Sequence, residues 1–250
     1  GFRGMKFGQV SYFLIGVLLL LAVFLLASNL HEVQIAPTQP LSESVFSAYV
    51  ENCLQLALDK GIDTLGKQGG YFTVGQPAIE FETLSIPYLV YDSKSNLLDL
   101  ASMENELSRS IESQIALCVT DSSAIREQGY TLSVGEPQVS VQILPQETQA
   151  LLKMPITIQK QEMSLTLEEF TTSTRATLHT AHSAVHELLE VQDTYPNAIP
   201  LSELAAKAEQ YNFQFEIFYL DDANVLYRLT FLQEHQNLTF NFLANYQWKA

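Results

Sequence analysis

Three of the chain's five histidines, His179, His182 and His186, fall within eight residues. At about 100° per residue on a helix they form one band beside Leu178, Val185 and Leu189, with Glu190 one turn after His186. Imidazoles four residues apart can share a metal ion, so His182 and His186 are the candidate ligand pair. His179 and His186 lie two turns, about 10 Å, apart along the axis, too far to join the same ion comfortably. The segment from His182 to His186 also lacks the Glu directly after the first His that a zinc protease uses as general base. The band therefore reads as half-buried boundary histidines, with a metal or pH-sensitive site as the alternative.

The only two cysteines are Cys53 and Cys118. Each falls on the apolar face of an expected helix, and outside a membrane such a pair points to a disulfide. Buried free thiols, which behave as small hydrophobes, are the other reading. Asn237-Leu238-Thr239 is the sole Asn-x-Ser/Thr sequon, and it stands beside a turn where a glycosyltransferase can reach Asn237.

Other chemistry-bearing patterns are missing. No Gly-x-Ser-x-Gly elbow or nucleotide-binding glycine loop occurs. Gly66-Lys67-Gln68-Gly69-Gly70 has no preceding strand, no Gly-Lys-Ser/Thr ending and no following helix, so it reads as a turn rather than a phosphate cradle. Asp221-Asp222 and Glu168-Glu169 read as solvated acid pairs. No enzyme activity and no cofactor are expected.

What must position these residues begins with residues 10–28, which carry no charge. Nineteen residues at helical rise cover about 28 Å, matching the roughly 30 Å hydrocarbon core. The apolar run is longer than a secretory signal core and lacks a small-x-small cleavage site, so a permanent anchor contacting membrane lipid is expected. Arg3 and Lys6 precede the span and no Lys or Arg follows until Lys60, which keeps residues 1–9 cytoplasmic and the C-terminal domain outside. All 28 acidic residues lie beyond the span against 11 of the 13 basic ones, a net of −17 outside. Such a surface repels nucleic acid and anionic head groups; it reads first as a solvated or salt-adapted surface, and it also suits a cationic partner or another envelope protein.

Residues 29–41, with Pro37 and Pro40, read as a stalk. Residues 42–128 read as the helical part of an ectodomain. A helix from Ser42 to Leu65 and another from Ser102 to Val119 flank a strand-like run, Ile86 to Tyr91, which Pro87 assigns to an edge or a strand start. Residues 129–250 read as an α+β part. Alternation centred on Leu132, Val141, Ile156 and Leu165 predicts four antiparallel strands, the third at an edge or bulged at Pro155. A helix over 174–192, a short helix from Ser202 to Tyr211 and a three-strand meander follow. The expected fold class is α+β: one N-terminal transmembrane helix, then about four helices packed on antiparallel β-meanders.

Cys53-Leu54, the turn Gly66 to Tyr71, Met103 to Leu107 and Gly135 to Val139 resemble segments of uncharacterised single-pass membrane proteins of small-genome archaea. That resemblance implies compartment and architecture and no catalysis. Lys6-Phe7-Gly8-Gln9-Val10-Ser11 is similar to the processing site of archaeal type IV pilins and archaellins, which implies cleavage after Gly8 and a filament subunit. It departs from them where Tyr12-Phe13-Leu14 stand in place of the usual Glu.

Overall fold

Helix α1 (Glu43–Lys67) forms because apolar residues recur at three and four, burying Phe46, Val50, Cys53, Leu54, Ala57, Leu58, Ile62 and Leu65. It stops where Gly69 and Gly70 take positive φ, 61° and 94°, and the Gly70 N–H turns back to Leu65 O at 2.7 Å. Helix α2 (Leu100–Thr120) starts at Asp99, whose carboxylate accepts the Ser102 N–H at 2.7 Å. The two helices run antiparallel. Cys53 meets Cys118 near one end, and Gly61 lies so close to Leu107 at the other that a Cβ there would stand 2.6 Å from Leu107 Cδ1.

The computed structural model describes residues 42–246 apart from 76, 93, 122, 177 and 234–236. The expected membrane segment 10–28 and stalk 29–41 fall outside the described residues. Among the described residues no helix is long and apolar enough to cross a membrane.

The remaining elements in chain order are β1 (Ala78–Phe81), β2 (Leu84–Tyr91) and β3 (Lys94–Ser95) before α2, and the single-turn α3 (Ser123–Glu127) after it. Then come β4 (Thr131–Val134), β5 (Gln138–Ile143), β6 (Thr148–Lys160) and β7 (Met163–Thr174). Helices α4 (Leu178–Thr194) and α5 (Leu201–Tyr211) precede β8 (Phe213–Tyr219), β9 (Asn224–Phe231) and β10 (Leu238–Asn245). The α+β class is thus observed, with the C-terminal meander in its expected order β8-β9-β10.

The first sheet departs from two expectations. The sheets are mixed rather than purely antiparallel, because β10 pairs with β2 in parallel through Tyr88 and Val90. This pairing also joins the two expected parts, 42–128 and 129–250, in one sheet of order β1-β2-β10-β9-β8. Pro87 therefore lies in a strand with neighbours on both sides. It is tolerated because the Tyr88 N–H, not that of residue 87, bonds Pro77 O at 3.2 Å, and pairing with β10 starts only at Tyr88.

In the second sheet the long β6 is central: β7 lines one edge, while β4 and β5 share the other end to end. Of the two alternatives for the Pro155 strand, an edge or a bulge, the second is the one observed. The β6–β7 register shifts between Lys153 and Ile156, and β4 and β5 leave a gap opposite Pro155. Gly135 fits that gap, its N–H reaching Pro155 O at 2.8 Å, and a Cβ there would stand 2.6 Å from Pro155 Cγ.

Helix α1 is the shared core element, touching β7 of the second sheet and β10 of the first. The inner face of β5 and β6 (Val139, Val141, Leu152, Met154, Ile156) is buried beneath the helix pair. One face of the first sheet, with Tyr227 and Phe242, is covered by α4 and α5. The opposite face buries Ile86, Tyr88, Leu226 and Leu243.

Candidate functional site

The histidine band sits on α4 as its periodicity predicts, but its members differ in surroundings. His182 is half-buried, and its Nε2 lies 2.8 Å from Leu98 O in the segment leading into α2. His186 is 57% exposed, with Nδ1 4.0 Å from Glu190 Oε1. The two rings stack with centroids 6.3 Å apart. Because Leu98 O holds His182 Nε2, only Nδ1 of that ring is free for a ligand. Among the described residues no group of three or more His, Cys, Asp or Glu side chains is arranged to hold a metal ion. Burial holds the His182 imidazole below its ordinary value; the Leu98 contact and Asp99 pull it up, while His186 and His179 push it down. The arrangement clasps α4 to the start of α2 and keeps His182 neutral at pH 7.

Cys53 and Cys118 form a disulfide between α1 and α2, with Cα atoms 5.9 Å apart. The tie is reinforced by Tyr49, whose hydroxyl donates to Cys118 O at 2.8 Å. Asn237 is exposed at the entry to β10, and its Oδ1 accepts the Gln233 N–H at 3.3 Å.

Several polar constellations went unread in the sequence. Glu106 is buried on α2 and accepts the N–H groups of Phe72 and Thr73 at 2.9 and 3.1 Å, with Arg109 as its ion-pair partner. It anchors the chain between α1 and β1. Glu187 on α4 accepts from Lys207 and Tyr211 on α5. The first of these bonds does most to hold the Glu187 carboxyl low, and the Tyr211 hydroxyl is pushed up to about 12 chiefly by donating to it. Helix α5 buries only Leu204, so this clip supplies much of its attachment.

Arg228 on β9 reaches the tip of the β1–β2 hairpin. Its guanidinium lies 3.0 Å from Glu82 and 3.8 Å from Glu216, over the rings of Phe81 and Phe218 at 5.8 and 5.2 Å. Although β1 and β8 stand at opposite ends of the sheet, Phe81 and Phe218 are 6.1 Å apart. The hairpin must therefore curl across the sheet face, and Arg228 fastens it there.

Behind α4 a buried chain of hydroxyl and amide groups runs from Tyr227 to Tyr246 to Gln192, the last step 2.6 Å. The Gln192 amide donates to Tyr195 O and Ala198 O at 2.7 and 3.2 Å. Burial pushes both tyrosine hydroxyls up, that of Tyr246 to about 12. A cavity of about 20 Å³ beside them, lined by Leu188, Leu189, Leu204 and Phe242, holds one water at most. Tyr227, Tyr246 and Gln192 are buried and lock packing. Compared with models of protein families, with curated proteins and with solved structures, the chain matches none.

Proposed function

We propose that this is a membrane-anchored, extracytoplasmic protein of the cell envelope, non-catalytic, whose acidic α+β domain is a structural part of the envelope or binds another envelope component. Residues 10–28 are the anchor in this reading, with the flank bearing Arg3 and Lys6 in the cytoplasm. The observation that carries it is the Cys53–Cys118 bond, since structural disulfides persist in oxidising compartments. An outer net charge of −17, from 28 acidic and 11 basic residues, supports it by suiting solvent exposure and a cationic partner. Protease treatment of intact cells tests it: release of peptides from 43–246 is expected, and release of residues 1–9 alone reverses the orientation. A filament-subunit form of the same reading rests on Lys6-Phe7-Gly8-Gln9, and N-terminal sequencing that finds Gln9 first would favour it.

A further inference from the structure

The two faces of the second sheet differ sharply in chemistry. Its inner face is apolar and buried, whereas the outer face carries Ser140 and Gln142 from β5, Gln149 and Leu151 from β6, and Thr171 and Ser173 from β7. Register arranges them in two cross-strand rows, Gln142–Gln149–Ser173 and Ser140–Leu151–Thr171. The surface they form is a shallow, half-open depression with about 650 Å³ of space over it, a size within the range of about 300–1,000 Å³ of ligand clefts.

We propose that this concave face is a docking surface for a neutral polyhydroxylated polymer, a glycan chain. The inference rests on the reading of the domain as extracytoplasmic for its biological setting, though not for its chemistry. On a chain with 28 acidic residues, these two rows contain no charge at all. The next row offers Lys153 and Glu169, which compensate each other at 3.4 Å, and Glu147 borders the opposite row with its carboxylate engaged by Gln149, so charge stands at the margins and the two rows themselves offer a charged ligand no counter-charge. Hydroxyl and primary amide groups each donate and accept, which is what a ring of sugar hydroxyls requires of its partner. Gln149 is pre-oriented, its amide donating to Glu147 Oε1 at 2.7 Å. Half-buried Leu151 at the centre gives an apolar floor for the C–H face of a pyranose. A face this open binds each sugar weakly, so affinity builds along a repeating polymer.

Binding to the full chain in a sugar-free detergent tests the proposal, with mannohexaose, cellohexaose and chitohexaose as neutral probes and a heparin hexasaccharide as the charged one. At least one neutral hexasaccharide is expected to bind with Kd of about 0.1–1 mM. A Gln142→Ala/Gln149→Ala variant should weaken it at least fivefold at unchanged melting temperature, and Leu151→Glu should abolish it, while Lys153→Gln/Glu169→Gln leaves it intact. Three outcomes overturn the proposal: no neutral probe binds, the double variant binds as tightly as the parent, or only the sulfated probe binds. Because binding is read on purified protein, it can fail while protease treatment still places the domain outside, and the reverse.

Discussion

The Glu112 carboxylate on α2 accepts the backbone N–H of Val139 on β5 at 2.8 Å, and eight residues earlier Glu104 accepts that of Ile143 at 2.8 Å. Eight helical residues advance about 12 Å and four strand residues about 13 Å, so the two spacings match. Helix α2 thus covers the outer edge of β5 with carboxylates, satisfying donors that an exposed edge would offer to other chains. Glu112→Ala is expected to cost about 1–2 kcal/mol and Glu112→Gln, which keeps an acceptor, less than half of that. Urea denaturation of the three proteins reads the difference; equal losses for both variants would show that the acceptor is irrelevant.

The 65-residue separation of Cys53 and Cys118 makes a second expectation quantitative. Closing such a loop removes unfolded-state entropy worth about 4 kcal/mol in the chain-entropy account. Reduction should therefore lower the melting temperature by about 8–16 °C for a domain of this size. Mass spectrometry of native protein without reductant should recover the two cysteine peptides joined. Free thiols at both positions would remove the main support for an oxidising compartment.

The hairpin tip fastened by Arg228 turns through Glu82 and Thr83, both at positive φ, 51° and 79°. A β-branched residue is unfavourable there, and two-residue hairpin turns of this kind favour Asn followed by Gly. Thr83→Gly should stabilise the domain by about 0.5–1 kcal/mol, whereas Arg228→Ala should loosen the tip. Hydrogen exchange at Glu80 and Leu84, compared among the three proteins, is expected to slow in the first variant and quicken in the second. Unchanged exchange in Arg228→Ala would mean that the guanidinium does not hold the hairpin.

Helix periodicity was the most legible feature: the stripes through Phe46 to Leu65 and Leu107 to Ile115 placed the ends of α1 and α2 within two residues of those observed and put a cysteine on each. The C-terminal meander was legible for the same reason, since Phe213, Val225 and Leu238 each open a clean alternation. Strand partners were not. The run Ile86 to Tyr91 is apolar almost throughout, as a strand covered on both faces must be, and nothing local names β10 as its neighbour. Pro155 announced an irregularity, but only the end-to-end placement of β4 and β5 shows that a central strand can host it. The carboxylate contacts escaped because Arg228 meets Glu82 across 146 residues and Glu104 meets a backbone group, which no side-chain pattern encodes. The neutral rows of the outer sheet face were visible as the polar half of an alternation; their concavity comes from the folded sheet.

His182 makes stability depend on pH. Its neutral form is favoured in the fold chiefly by burial, with Asp99 attracting and His179 and His186 repelling the added proton. Its folded value lies below the ordinary 6.5, so in the window between them the unfolded chain binds more protons. Stability is then complete above about pH 6.5 and declines as pH falls toward the folded value. His182→Gln retains a donor for Leu98 O and removes the titration. The gap in melting temperature between the parent and this variant should shift against the parent from pH 7 to 5, and parallel curves would exclude His182 as the source.

The buried chain behind α4 sets up a test of cooperativity. Tyr246 stands between the Tyr227 hydroxyl and Gln192 Oε1, and both tyrosines are almost wholly buried. Tyr246→Phe removes one hydroxyl yet strips a partner from two buried groups, so it should cost about 2–4 kcal/mol. Tyr227→Phe strips a partner from Tyr246 alone, which keeps its bond to Gln192, and should cost about 1–2 kcal/mol. In the double variant the Tyr227 hydroxyl is no longer present to be orphaned, so the combined loss should fall short of the sum by about 1 kcal/mol or more. Chemical denaturation of the four proteins closes the cycle. Strict additivity would mean that the two hydroxyls act independently and that the bond between them adds nothing to the fold.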